Sequence, residues 1–437
     1  MIFRLWRRLL NSRFVRGTAW LAGGTAIGQA LTLLASPLIT RLYTADDLGR
    51  LGVYVAFLTL ALTAASLRYE SAIVVAQNGA QAAQLAVVSL LLILPTGVVA
   101  GLGLWLLTRQ GWLGLGILPV ETVWALLPTF GVSAAFQVLR YWLVRDESLA
   151  IISRVMVWQS VTLNSVRVGV GLLGVGWVGL VCSELLGRAA GVIQMARAAW
   201  RDITIHPDLL NRTSLREVLW IHRQFPMYAL PSSFIDNLAF ALPLGLIAQL
   251  YGASAAGYYT LMQRVLYLPA NLIGASVGAA FYGRLAVYAR EAPDRVNPLF
   301  WRTAGGLLAL GLLPTLIIVA LGSRLFGWVF GAEWAEAGTL AVLVAPWSLA
   351  QFIVSPLSTI VFVFNGQRLK FVYDVLSLAA VIIVLLIARM GGLQLVPAVA
   401  ILSAANVVIY GIYFSLLLYI LRRRLNRPFH TPNTPKP

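Results

Sequence analysis

The sequence predicts an all-α, polytopic membrane protein of about twelve transmembrane helices, arranged as two six-helix bundles related by a pseudo-two-fold axis. Three observations lead there. Hydrophobic residues make up 59% of the 437 residues, charged residues only 11%, and the mean hydropathy is +0.81, whereas soluble domains carry about 25% charged residues. Apolar runs of about 20 residues, each long enough to cross a hydrocarbon core as a helix, recur along the whole chain. A polar turn between two such runs, Leu38-Ile39-Thr40-Arg41-Leu42-Tyr43-Thr44-Ala45-Asp46-Asp47-Leu48-Gly49, returns 208 residues later as Leu246-Ile247-Ala248-Gln249-Leu250-Tyr251-Gly252-Ala253-Ser254-Ala255-Ala256-Gly257. The shared pattern Leu-Ile-x-x-Leu-Tyr-x-Ala-x-x-x-Gly without a gap argues for a duplicated half that opens with the same hairpin.

In chain order, residues 1–17 are basic and amphipathic and belong on the inner membrane surface. The first apolar run is too long for a secretory signal and reads as a retained span. Spans are expected at 18–40, 50–77, 83–108, 119–144, 152–174 and 176–198, completing an N-terminal bundle over 1–198. A cytoplasmic linker, 199–223, follows; its Ser214-Leu215-Arg216-Glu217 has the capping-box pattern of a short surface helix. A C-terminal bundle over 224–421 holds spans at 225–250, 258–282, 298–321, 337–363, 371–388 and 395–420, before a basic tail, 422–437. With the N-terminus inside, the inner segments hold 25 Arg and Lys and the outer loops 5. The positive-inside rule therefore puts both termini in the cytoplasm.

The same rule accounts for the net charge of +17 without nucleic acid. The lone Cys182 excludes disulfides and thiolate clusters within the chain. No Gly-x-x-x-x-Gly-Lys-Ser/Thr or His-Glu-x-x-His stretch occurs, so neither a P-loop engine, a metal site nor a cofactor is expected. Short outer loops speak against a membrane glycosyltransferase or polymerase. His206, His222 and His430 lie outside the spans and read as solvated surface residues. Gly24-x-x-x-Gly28, Gly187-x-x-x-Gly191 and Gly274-x-x-x-Gly278 permit close helix packing within the chain.

An ionisable group at bilayer depth costs roughly 2.5–3.5 kcal/mol and needs a partner, a wet cavity or a route to the interface. The candidates are Arg68, Glu70, Arg167, Glu184, Asp236 and Arg264, with Asp374 near a span end. Ser160, Asn164 and Arg167 share one helix face, as do Arg264, Tyr267 and Asn271. Such faces line a helix contact or an aqueous cavity. In the cavity reading Arg68, Arg167 and Arg264, with Asn164, Tyr267 and Asn271, hold an anionic headgroup through bidentate guanidinium contacts. In the alternative Arg68 pairs with Glu70 or reaches the inner interface, while Arg167 and Arg264 neutralise Glu184 and Asp236. Glu70, Glu184 and Asp236 are also candidates for carrying a coupling proton or sodium ion.

The basic start, the Gly-rich first span, the hairpin at 38–49 and Leu67-Arg68-Tyr69-Glu70-Ser71-Ala72-Ile73-Val74 resemble bacterial polysaccharide transporters of the Wzx type, the lipid-linked oligosaccharide flippases. The resemblance implies the two-bundle fold of the multidrug/oligosaccharidyl-lipid/polysaccharide superfamily. It further implies alternating access across the bacterial inner membrane and an undecaprenyl-diphosphate-linked oligosaccharide as cargo, for cell-surface polysaccharide or O-antigen assembly. Membrane lipids, and the polymerase and glycosyltransferases of the same pathway, are the implied partners. Arg68 and Glu70 coincide with the family's Arg-Tyr-Glu stretch. An ion-coupled multidrug exporter and a lipid II flippase are the rival readings; the latter class normally has two further helices.

Overall fold

The structure, a computed structural model, describes residues 13–204, 212–364 and 366–425. The amphipathic stretch expected at 1–17 and the basic tail fall mostly outside these residues, as do His206 and His430. Helices alone form the described chain: α1 (Arg13–Leu42), α2 (Ala45–Thr63), the short α3 (Tyr69–Ala72), α4 (Gly79–Gln110), α5 (Thr122–Arg145), α6 (Leu149–Leu172), α7 (Trp177–Ala189), α8 (Val192–Thr204) and α9 (Arg212–Ile221). They continue as α10 (Leu230–Glu291), α11 (Val296–Phe330), α12 (Ala335–Leu357), α13 (Ile360–Val363), α14 (Gln367–Met390) and α15 (Leu395–Leu425).

Ten helical stretches among the described residues are long and apolar enough to cross a membrane. One of them, which includes α10, contains two of the expected spans: Gly252 is non-helical (φ 83, ψ −173) and starts a new helix at Ala253. The span expected at 50–77 is the other departure from the ten, because α2 opens with Asp46, Asp47 and Arg50 and ends early, at Thr63. With these two, every expected span has a helical counterpart. The helix expected at 176–198 bends at Gly191 (φ 80), between α7 and α8. The expected linker helix is present as α9, but it starts before Ser214, so that residue is not its N-cap. A working capping box stands at the hairpin instead. Thr44 accepts from the Asp47 backbone N–H, and the Asp47 carboxylate accepts from the Thr44 N–H at 3.1 Å.

By packing, the chain divides into two units between Gly257 and Tyr258. In the first, α1 lies along α6, α6 along α7, and α4 along α5. Its core includes Ile73, Leu85, Leu139, Ile152 and Val155. In the second, α11 packs on α12, and α12 and α14 on α15, around Phe281, Leu285, Phe300, Leu357 and Leu417. Large apolar side chains such as Leu94, Leu313, Trp328 and Met390 point outward, as lipid-facing surfaces require. Lipid tails are as apolar as leucine, so helices here are held by close van der Waals contact rather than by removal of apolar surface from water.

That makes the small residues decisive. A Cβ on Gly24 would lie 2.2 Å from Ser153 Oγ, and one on Gly28 3.5 Å from the Ser160 side chain, so the first Gly-x-x-x-Gly pair packs α1 on α6. The tightest approach joins the two copies of the repeated hairpin. A Cβ on Gly49 would sit 1.8 Å from the Ala253 carbonyl oxygen, and one on Gly257 1.9 Å from that of Ala45. Ala45 and Ala253, like Gly49 and Gly257, occupy equivalent positions of the repeat. The contact is therefore reciprocal, as a local two-fold axis generates. Asp46 and Ser254, again equivalent, share a short hydrogen bond across it.

Because backbone atoms block each Cβ, Gly49→Val or Gly257→Val should destabilise the first unit by about 1–3 kcal/mol or more, read as a fall in unfolding temperature in detergent. Gly103→Ala, where no atom lies within 4 Å of the added carbon, should leave it unchanged.

Candidate functional site

After α2 the chain turns through residues 64–68 before resuming as α3, and the turn contains consecutive non-glycine residues in the left-handed region, Leu67 (φ 52) and Arg68 (φ 66). Such conformations cost on the order of 1–3 kcal/mol each and persist only where surrounding contacts impose them. Here Thr96 Oγ1 donates to the Ala65 carbonyl at 2.7 Å. Arg145 Nη1 donates to the carbonyls of Ile73 (2.9 Å) and Ala76 (2.8 Å), which fixes the end of the segment. Arg145 thus has a structural role that loop charge alone did not reveal.

The consequence of this turn is the placement of Arg68. Its Nη2 donates to Ser233 Oγ on α10 at 2.9 Å, and its Nη1 lies 3.5 Å from Glu70 Oε1. Nε has no partner among the described residues, and the side chain is 27% exposed. Glu70 is buried, 2% exposed, and accepts a short hydrogen bond from Ser66 Oγ. Beside them Asn237 Nδ2 donates to Thr63 Oγ1 at 3.0 Å. Asp236 is exposed and forms no ion pair among the described residues. A guanidinium carries five N–H groups. One hydrogen bond and one loose ion pair leave it capacity for an incoming anion.

Arg167 is different. It is 2% exposed, pairs with Glu184 through Nη2 and donates from Nε to Ser183 Oγ at 3.1 Å. The second carboxylate oxygen of Glu184 accepts from Arg188 Nε at 2.9 Å. The stripe before it faces α1: Ser160 Oγ donates to the Gly28 carbonyl at 2.6 Å, and Asn164 Nδ2 reaches the Ser160 carbonyl at 2.8 Å and Thr32 Oγ1 at 3.3 Å. This corrects the cavity reading for Arg167 and Asn164. A polar stripe must avoid lipid, and α1 supplies the matching hydroxyls and glycine carbonyl. Glu184 is likewise engaged, held between the guanidiniums of Arg167 and Arg188.

On the second unit Tyr267 and Asn271 line a cleft of about 410 Å³ between α10 and α12, with Ser348, Gln351, Ser355 and Thr359 opposite. Arg264, half-buried one turn earlier, is not among its lining residues. Tyr267 is buried and meets Trp347 edge-on, ring centroids 6.2 Å apart. Gly274-Ala275-Ser276-Val277-Gly278 has the spacing of a hydrolase nucleophile elbow. It lies within α10, however, and Ser276 Oγ donates to the Leu272 carbonyl at 3.0 Å, without the strand-to-helix turn that such an elbow needs. Asp374 pairs with Lys370 at 2.5 Å near the start of α14. His222, expected to be a solvated residue, is half-buried, and burial holds its pKa below the ordinary histidine value.

Residues 38–339 match the sequence profile of a family described as polysaccharide biosynthesis protein. The chain belongs to that family. No curated protein matches it. Among solved structures, the chain is similar to the lipid II flippase MurJ in an inward closed conformation, with TM-score 0.71, 12% identity and coverage of 93% of this chain and 90% of that one. It is also similar to an inward-facing multidrug resistance MATE transporter of the MOP superfamily, with TM-score 0.63, 16% identity and coverage of 92% and 96%. A third is a MOP superfamily transporter from Pyrococcus furiosus, described as having a binding pocket of reversed polarity, with TM-score 0.61, 15% identity and coverage of 96% and 98%. The fold is therefore that of the MOP superfamily, the twelve-helix, two-bundle class expected from the duplicated hairpin.

The buried Arg167–Glu184 pair gives a prediction of its own. Glu184→Ala leaves a buried guanidinium uncompensated and should cost about 3–5 kcal/mol in reversible denaturation in micelles, whereas Arg167→Met combined with Glu184→Leu should recover most of that loss.

Proposed function

We propose that the protein is a flippase that carries an undecaprenyl-diphosphate-linked oligosaccharide across the bacterial inner membrane by alternating access, for assembly of a cell-surface polysaccharide such as O-antigen. The observation that carries the reading is Arg68: a partly exposed guanidinium, held at a strained break between membrane helices, with donors available to a diphosphate. An anion inside a membrane must exchange hydration for protein donors, and guanidinium does so with two parallel hydrogen bonds. Membership of a polysaccharide biosynthesis family supports a glycan as cargo, and the MOP fold supports transport.

In this reading Arg68 receives the diphosphate, and Arg167 and Asn164 keep the helices of the first unit together. Glu70, buried beside Arg68, and the exposed Asp236 are the candidates for ion coupling. The two halves are 1–198 and 224–421, joined by the 199–223 linker, with both termini cytoplasmic; the glycosyltransferases and polymerase of the same route act before and after it.

The test is flipping of the glycolipid in proteoliposomes. Arg68→Ala should slow it by about 10–100-fold, the scale of a lost charge-assisted hydrogen bond, with Arg68→Lys intermediate because a point charge cannot grip bidentately. Unchanged flipping by Arg68→Ala would remove the diphosphate assignment.

A further inference from the structure

The cleft of the second unit differs from the Arg68 corner in one respect that bears on its ligand: none of the residues lining it is charged. An anion there would lose hydration with no counter-charge to replace it, which is prohibitive at membrane depth. The lining is nonetheless polar. The Asn271 and Gln351 amides and the Ser348 and Ser355 hydroxyls each combine donor and acceptor capacity, and Thr359, whose Oγ1 donates to the Pro356 carbonyl at 3.2 Å, adds an acceptor. Pro356, within α12, also deprives the Phe352 carbonyl of its helical N–H partner at a lining position. Groups that both give and accept hydrogen bonds match a ligand made of hydroxyls.

The space is not a by-product of tight packing. A Cβ on Gly274 would meet Pro356 at 3.6 Å and one on Gly278 at 3.4 Å, ordinary contact distances, whereas the glycines of the hairpin admit no such atom. Gly274, Gly278, Ala270, Ala275 and Ala279 keep one wall of α10 low, and Tyr267 and Phe352 add rings beside it. The volume, about 410 Å³, falls in the range of small-molecule sites, about 300–1,000 Å³.

We propose that this cleft is a subsite for an uncharged glycosyl unit, the hydroxyls held by Asn271, Gln351, Ser355 and Thr359 and the apolar ring face against Tyr267 and Phe352. The inference rests on the glycolipid reading above and adds to it that the sugar placed here carries no carboxylate or phosphate.

The test uses the full chain in nanodiscs and saturation-transfer NMR with two lipid-free probes: a panel of neutral hexose and N-acetylhexosamine oligosaccharides, and a matched panel carrying one uronic acid. Neutral members should bind and uronate members should not. Asn271→Leu and Gln351→Leu should each weaken binding by about tenfold or more, the scale of a buried hydroxyl left unpaired, and Gly274→Leu should abolish it by filling the cleft. Should Gly274→Leu fail to fold, Asn271→Asp, of nearly the same size, reads the site alone and should also weaken neutral binding. No binding of any neutral member, a preference for uronates, or binding unaffected by the variants that fold would overturn the proposal. Arg68→Ala should leave glycan binding intact. Lost flipping with retained glycan binding therefore separates the two sites, and Arg68-dependent flipping without glycan binding removes the cleft alone.

Discussion

The reciprocal contact of Ala45 and Gly49 with Ala253 and Gly257 is the constraint on which the architecture of the first unit turns. Two helices begin at equivalent places in a duplicated sequence, one after the N-cap Thr44 and one after the positive-φ Gly252. Each then brings its glycine against the carbonyl of the other copy's alanine. Inside a bilayer no gain in apolar burial drives helices together, so contact at backbone distance has to come from side chains that are absent. A polar link across this contact, from Ser254 to Asp46, joins residues that are again 208 apart.

Charge inside the membrane is handled in two opposite ways. The Arg167–Glu184–Arg188 cluster satisfies each of its ions with neighbours and stands at the centre of helix packing, with Tyr43 of the hairpin donating to the Arg167 carbonyl at 2.8 Å. Arg68 is held by a strained backbone, keeps donors in reserve and shares a buried carboxylate at a looser 3.5 Å. The first arrangement is closed on itself and the second is not, although on the sequence both are arginines within apolar stretches. The uncharged cleft lined by Tyr267 and Asn271 is a third environment, walled by neutral hydroxyl and amide groups.

Much of the fold was legible because membrane residence writes itself into composition: length and hydropathy mark spans, and the repeated Leu-Ile-x-x-Leu-Tyr-x-Ala-x-x-x-Gly marks two equivalent hairpins. The site was legible only in kind. The stripe of Ser160, Asn164 and Arg167 said correctly that this face avoids lipid. Periodicity could not say whether the face meets water or another helix, and the answer depended on the Gly28 carbonyl and Thr32 hydroxyl of a helix about 130 residues away.

By itself the sequence determined an all-helical, twice-repeated membrane chain with few intramembrane charges, because hydropathy, charge placement and repetition are properties of the residues in order. Only the tertiary structure decided which arginine is neutralised and which keeps donors free, that the hairpin glycines face each other's carbonyls, and that Tyr267 and Asn271 line an uncharged space. Each of those depends on what a side chain meets across the fold, which its place in the chain does not encode.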